Sequence, residues 1–208
     1  MTDVHSPYVL ISKFVQDKLN ELILSNNAPM VRTKLAKLRK GVSHKPGDNP
    51  EIWDITLSDL PEVFLSDNGE PSKYEYAIHI ALTLFAMHQQ GRNIKTECMH
   101  KQTPKDSKAQ IYCFGSAVRR LAGTKDSDSF KSIRRRFNAT VTSESIEEFS
   151  HHLRNMIQLL KAKGIELDYV SLAQEIYLFQ FPDNRDKLRL KWGQDFYRIT
   201  TSTSSNDD

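Results

Sequence analysis

Cysteine is almost missing from this chain: Cys98 and Cys113 are its only two thiols in 208 residues. Two thiols cannot form a disulfide framework, and their scarcity suits a reducing compartment. Long apolar runs are missing too. A membrane-crossing helix needs roughly 18 or more consecutive apolar residues, and the sequence contains no such run, so no membrane contact is expected. The first residues, Met-Thr-Asp-Val-His-Ser-Pro, lack the cationic start and apolar stretch of a secretory leader, and a cytoplasmic location is expected. Catalytic signatures are lacking as well. There is no nucleophile elbow, Walker loop or dinucleotide fingerprint. Glu147-Glu148 and Asp183 with Asp186 read as charges at helix N-termini, not as paired acid and base. Cys98-Met99-His100, even taken with His88 and Cys113, matches no familiar zinc spacing. His151 and His152 are neighbours, about 100° apart on a helix, and cannot easily share one ion. Neither a metal nor another cofactor is expected, and no catalytic residue can be named.

Sustained period-two alternation is also absent, and so are the turn dipeptides that join paired strands. What is present repeats at three- and four-residue spacing. Ser6-Pro7 opens a first helix with the stripe Ile11, Phe14, Val15, Leu19, Leu22 and Ile23. A second starts near Pro29, turns Val31, Leu35 and Leu38 inward, and stops at Gly41. Residues 42–71 hold four of the eight prolines and form a long connection, with one helical turn expected near Leu57–Leu65. Ser72-x-x-Glu75 is a capping box before a helix that is apolar on more than one face and therefore central. Residues 91–106 read as a polar loop. Helices are then expected at 107–122, 127–138, 145–163 (opened by a second box, Ser145-x-x-Glu148), from an Asp168 cap to Phe179, and from about Asn184 to Tyr197. The class is all-α: two packed helical bundles, about eight helices, with long polar loops. The bundles are placed at residues 1–95, including the acidic connection 42–71, and 107–199, with 200–208 a solvated tail.

Charge is unevenly spread. Residues 31–40 carry five bases (Arg32, Lys34, Lys37, Arg39, Lys40) and no acid. Residues 119–136 carry seven bases (Arg119, Arg120, Lys125, Lys131, Arg134, Arg135, Arg136) against Asp126 and Asp128. Between these blocks, residues 46–75 hold eight acids and one base. On a helical wheel Leu35 and Leu38 lie within about 60° of Val31, which leaves Arg32 and Arg39 on one flank, Lys34 and Lys37 on the other, and Lys40 outward. Such a helix either contacts phosphates or pairs with the acidic connection. In the second block Phe130, Ile133 and Phe137 form the buried face, and Lys131, Arg134, Arg135 and Arg136 point away from it. Arg119-Arg120 also suits a helix C-terminus, but a helix dipole does not account for three consecutive arginines at 134–136. Arginine forks two hydrogen bonds to phosphate, which suits tracking of a nucleic-acid backbone. The acidic connection is expected away from that backbone, or at an edge beside a basic neighbouring subunit, with Trp53, Ile55, Leu57 and Phe64 as its anchors.

Several ordered stretches carry a family resemblance. They are Ala36-Lys37-Leu38-Arg39-Lys40-Gly41; Ala86-Met87-His88-Gln89-Gln90; Gly115-x-x-Val118-Arg119-Arg120-Leu121-Ala122 followed by Ile133-Arg134-Arg135-Arg136-Phe137; Leu153-Arg154-x-x-Ile157-x-Leu159-Leu160; Ile165-x-x-Asp168-Tyr169-x-x-Leu172-Ala173; and Lys191-Trp192-Gly193-x-Asp195-Phe196-Tyr197. Over roughly residues 30–198 their order resembles the small subunit of the type I-E CRISPR interference complex Cascade, the CasB family. The resemblance implies an all-helical, non-catalytic protein. It implies a pair of copies beside the backbone and large subunits, with a basic surface supporting guide RNA, target DNA and the displaced strand. It carries over Arg39, Lys40, Arg119, Arg120, Arg134, Arg135 and Arg136, with Lys37, Lys131 and Arg154 added. Lys40 stands where arginine is common, which keeps the charge and loses the fork. Contact would be independent of sequence, because base pairing with the guide supplies specificity. The alternative from the residues alone is a helix-turn-helix regulator using the helix at 127–138. It would need base-reading side chains and a symmetric dimerisation helix, neither of which is evident.

Overall fold

The computed structural model describes residues 6–102, 104, 111–125 and 127–198. Nine α-helices run through them: α1 (Pro7–Leu24), α2 (Ala28–Lys40), α3 (Trp53–Thr56), α4 (Lys73–His88), α5 (Phe114–Ala122), α6 (Asp128–Val141), α7 (Ile146–Lys163), α8 (Tyr169–Phe179) and α9 (Pro182–Tyr197). No strand occurs among the described residues. One isolated parallel bridge, His100 with Leu167, ties the loop after α4 to the turn before α8. The all-α class stands.

Local chemistry explains several helix ends. Asn27 caps α2 by accepting from Met30 N at 3.1 Å. Ser72 and Glu75 form a complete reciprocal box at α4. The Asp168 carboxylate accepts from Val170 and Ser171 N at the start of α8. Gly164 closes α7 in the left-handed conformation, φ 64°.

Several expected boundaries shift. The helix expected over 107–122 begins at Phe114; residues 107–110 lie outside the described set, and Ile111 is exposed. The box at α7 is half-formed: Ser145 accepts from Glu148 N, but the Glu148 carboxylate turns to Glu144 N. Helical turns in the acidic connection fall at Pro50–Ile52, Trp53–Thr56 and Glu62–Phe64, interrupted by Asp59 at φ 62°. Gly41 follows α2 at φ −77°, outside the left-handed region, and crowding is what favours glycine there: a Cβ would lie 2.7 Å from Ile52 Cδ1.

The centre of the protein is α4, whose residues Ala77 to His88 are all buried. It packs against α1, α2, α7 and α8, while α5 packs against α6, α7 and α9. Helix α8 touches both groups, meeting α1 and α4 on one side and α9 on the other. One apolar core therefore runs through both sets of helices. In the C-terminal set it is aromatic: Phe137 stacks on Phe196 at 4.8 Å, and Phe149 stacks on Phe179 at 4.1 Å and on Trp192 at 5.7 Å. Gly115 lets α5 press onto α9, where a Cβ would stand 2.6 Å from Trp192 O.

Candidate nucleic-acid interface

Helix α6 carries the clearest cationic face. Phe130, Ile133 and Phe137 are buried at 3–4 spacing, which commits the intervening residues to the outside. Ser127 starts the helix by accepting from Phe130 N at 3.0 Å. Arg134, Arg135 and Arg136 are exposed, and their guanidinium groups form no ion pair or hydrogen bond with a described residue. Lys131 lies 3.6 Å from Asp128, an exposed pair of little energetic weight. Lys131, Arg134, Arg135 and Asn138 recur at i, i+3, i+4 and i+7 and line a shallow open depression.

A second cationic cluster is tertiary. Arg39 near the end of α2, Lys161 on α7 and Arg92 in the loop after α4 lie close enough for their charges to interact. Burial and then repulsion from Arg39 and Arg92 hold the Lys161 ammonium below its usual range. Lys161 donates to Gln90 Oε1 at 2.8 Å, and Arg92 donates to Lys161 O at 3.3 Å. Glu97 faces Arg92 at 3.5 Å. Arg154, Gln158 and Lys161 share one face of α7.

The remaining expected residues divide by what they touch. Arg32 is exposed and Lys37 half-buried, and neither pairs with a described acid at ion-pair distance. Lys34 lies 3.8 Å from Glu21. Lys40 donates to Glu51 at 2.8 Å, and that hydrogen bond and charge hold the Glu51 carboxyl below its usual range. One carboxylate of the acidic connection therefore does fold back onto the basic helix, which corrects the expectation that the whole segment keeps clear of it. The connection is also pinned to α1, where buried Lys18 reaches Asp59 at 3.1 Å. Ile55 and Phe64 are buried as expected of anchors, and so is Ile52, whereas Trp53 is exposed and Leu57 half-buried.

Arg119, Arg120 and Arg154 have structural partners. Arg119 donates to Gly123 O at 2.6 Å, beside the Phe130 ring. Arg120 donates to Glu166 O at 2.8 Å and lies 3.6 Å from the Glu166 carboxylate. Arg154 donates to Ser43 Oγ. The structure thus brings α6 together as one face, separates Arg119 and Arg120 from free surface charge, and adds Arg92 and Lys161, which the sequence reading missed. The outward i, i+4, i+7 pattern of Arg154, Gln158 and Lys161 was a usable signal for Lys161. Arg92 sits in a loop and had none.

Ionisable groups also lie inside. His88 Nδ1 is 2.9 Å from Tyr169 OH, and burial, with repulsion from Arg92 and Lys161, pushes its pKa down to about 4. Burial lowers His79 and His100 as well. Burial pushes the Cys113 thiol up to about 11. Among the described residues no group of three His, Cys, Asp or Glu is placed to hold a metal ion. No described helix is long and apolar enough to cross a membrane.

Fold and surface define an all-α protein with cationic helix faces, and comparison with known proteins supplies the family. Residues 34–197 match the family of the CRISPR-associated protein Cse2. The chain belongs to the Cse2 family, also called CasB, as the ordered motifs implied. Among solved structures it is similar to CasB from Thermobifida fusca (28% identity, TM-score 0.67, covering 92% of this chain and 97% of that one). It also resembles a CRISPR-associated protein of the Cse2 family from Thermus thermophilus (16% identity, TM-score 0.62, covering 90% and 97%). A third similar structure is M. ruber CasB (20% identity, TM-score 0.59, covering 89% and 93%). The last two share the fold. No curated protein matches the chain.

Proposed function

We propose that this Cse2-family protein is a non-catalytic small subunit of a cytoplasmic Cascade complex, binding guide RNA–target DNA and the displaced strand through sequence-independent phosphate contacts. Its partners in this reading are the backbone and large subunits and a second copy of itself. The observation that carries it is the α6 face, where Arg134, Arg135 and Arg136 stand exposed without an acidic partner among the described residues. Three adjacent guanidinium groups repel one another in the free protein, and a polyanion relieves that repulsion. Arg39, Arg92 and Lys161 form a second cationic cluster, in which Glu97 offsets part of the charge at Arg92. The side chains around these sites suit phosphate, since lysine and arginine outnumber the amides that read base edges.

A salt titration with two unrelated strands tests the reading. Equal affinity for both is expected, with log K falling by about 0.7–0.9 per log salt for each phosphate contact. Binding that ignores salt, or a strong preference for one short duplex, would overturn it.

A further inference from the structure

A cavity of about 200 Å³ opens between the turn following α2, the α4 residues Tyr76 and Ile80, and the N-terminal half of α7. Phosphate tracking along exposed helix faces makes no use of it. Its walls include Ser43, Lys45, Tyr76, Ile80, Glu147 and Arg154. Apolar cavities of about 150 Å³ accept a benzene ring, so a space of this size admits one heteroaromatic ring. The polar groups are of both kinds: Lys45 and Arg154 donate, and the Glu147 carboxylate accepts. A bare phosphate offers acceptors alone and would meet Glu147 as a like charge. The edge of a nucleobase offers donors and acceptors together. Arg154 spends one N–H on Ser43, while its Nε is buried without a hydrogen-bond partner. The guanidinium N–H groups not spent on Ser43 are donors in the wall of the cavity, and a base carbonyl is an acceptor suited to them. The cavity and the second cationic cluster are built on the same two elements. The turn holding Ser43 follows Arg39 and Lys40 directly, and Arg154 precedes Lys161 on one face of α7.

We infer that this cavity takes one unpaired nucleobase from the strand bound along α2 and α7, with Tyr76 and Ile80 against its face, Arg154 and Glu147 at its edge, and Lys45 on the adjoining phosphate. The inference rests on the nucleic-acid reading above and deepens it from backbone contact to capture of a base.

The test compares two labelled strands of about 20 nucleotides, longer than a typical single-strand site: oligothymidine, and the same backbone with every base replaced by an abasic spacer. Backbone charge is equal in the two, so the full chain should bind the abasic strand about tenfold more weakly, the effect of losing one stacked base, with an unchanged salt slope. Ser150→Trp, at another position in the cavity wall, should reduce that difference to less than about twofold. Tyr76→Ala should do the same by removing the ring, and circular dichroism shows whether each variant folds. Equal binding of both strands by the unaltered protein, with the steep salt slope retained, overturns base capture and leaves the phosphate reading standing. Binding of neither strand overturns both. Undiminished discrimination in folded variants overturns this cavity as the seat. Variants that bind both strands like the unaltered protein but no longer copurify with the complex would mark the occupant as a protein side chain, and the base assignment falls.

Discussion

The ammonium of Lys191 lies 2.5 Å from the carboxylate of Glu175, and the indole N–H of Trp192 donates to the other oxygen of that carboxylate at 2.9 Å. Glu175 is 4% exposed. Burial alone disfavours the charge on Lys191, but Glu175 more than offsets this, so the ammonium stays protonated well beyond its usual range. Lys191→Met strands a buried carboxylate and should cost about 3 kcal/mol, the low end for a broken buried pair because Lys191 itself is partly wetted. The double variant Lys191→Met, Glu175→Met removes that pair but leaves buried Asp195, 3.7 Å from the Lys191 ammonium, so it should recover only part of the loss. Urea midpoints for the singles and the double measure it. A double variant less stable than Lys191→Met would refute the account.

Gly115 should tolerate no side chain. Its added Cβ would meet Trp192 O at 2.6 Å and Asp195 Cβ at 2.7 Å, so backbone would have to move. Gly115→Ala should therefore destabilise by about 1–3 kcal/mol through overpacking, despite alanine's better helix propensity. A thermal melt reads the effect, and a melting temperature at or above that of the unaltered protein would refute the tight α5–α9 contact.

These two sites show what the sequence made legible. The residues Lys191-Trp192-Gly193-x-Asp195 were visible as a family motif but had no physical role until α9 was placed against α8. Lys191 and Glu175 lie on different helices, and helical periodicity predicts faces but not which faces meet. The same limit explains Arg119 and Arg120, whose carbonyl and carboxylate partners come from the turn after α5 and from Glu166. By contrast, α6 needed only its own sequence: one apolar stripe at 130, 133 and 137 leaves the arginines outside. The α4 capping box was legible for the same reason, since both of its partners lie within one turn. Ile111 misled because an apolar residue three positions before Phe114 fits the helical spacing, while the backbone there forms a turn.

On α6 the energetic roles should separate. Arg135→Ala should change stability by no more than about 0.5 kcal/mol, as for ordinary surface sites, yet weaken strand binding and lower the salt slope by roughly one contact. Phe137→Ala should cost about 3–5 kcal/mol, since that ring is buried among Phe114 and Phe196. Denaturation midpoints and binding isotherms of the two variants make the comparison. A large stability loss in Arg135→Ala would identify it as a structural residue.

Acid should weaken the fold through its buried histidines. His88 is held near pKa 4 in the folded protein by burial and by Arg92 and Lys161, against about 6.5 for a free histidine. Between those values the unfolded chain binds the extra proton, so stability is full above about pH 6.5 and falls as pH drops toward 4. The loss attributable to His88 is of order 3 kcal/mol. His79 and His100, also lowered, act in the same direction. His88→Gln should flatten the pH dependence of the urea midpoint between pH 6.5 and 4. An unchanged slope would mean that the histidine is protonated in the fold.

Glu51 gives the last test, because it is the point where the acidic connection touches the basic helix. Its carboxylate accepts from Lys40 at 2.8 Å, with both side chains more than half exposed. An exposed pair contributes little to folding, so Glu51→Gln should leave stability within about 0.5 kcal/mol. The effect on binding should be larger in proportion. Lys40 loses a carboxylate that competes with phosphate, and one further cation becomes available at the end of α2 near Arg39. Strand affinity at low salt should rise by a few-fold and the salt slope should steepen by about 0.7–0.9. The gain should fade at about 1 M salt, where the Debye length is about 3 Å. Asp59→Asn is the control: Asp59 pairs with buried Lys18 on α1 and with no base of α2, and should leave strand affinity nearly unchanged. An equal gain from both variants would mean that only the total charge matters and that Lys40 makes no contact of its own. A gain confined to Glu51→Gln would place Lys40 on the strand.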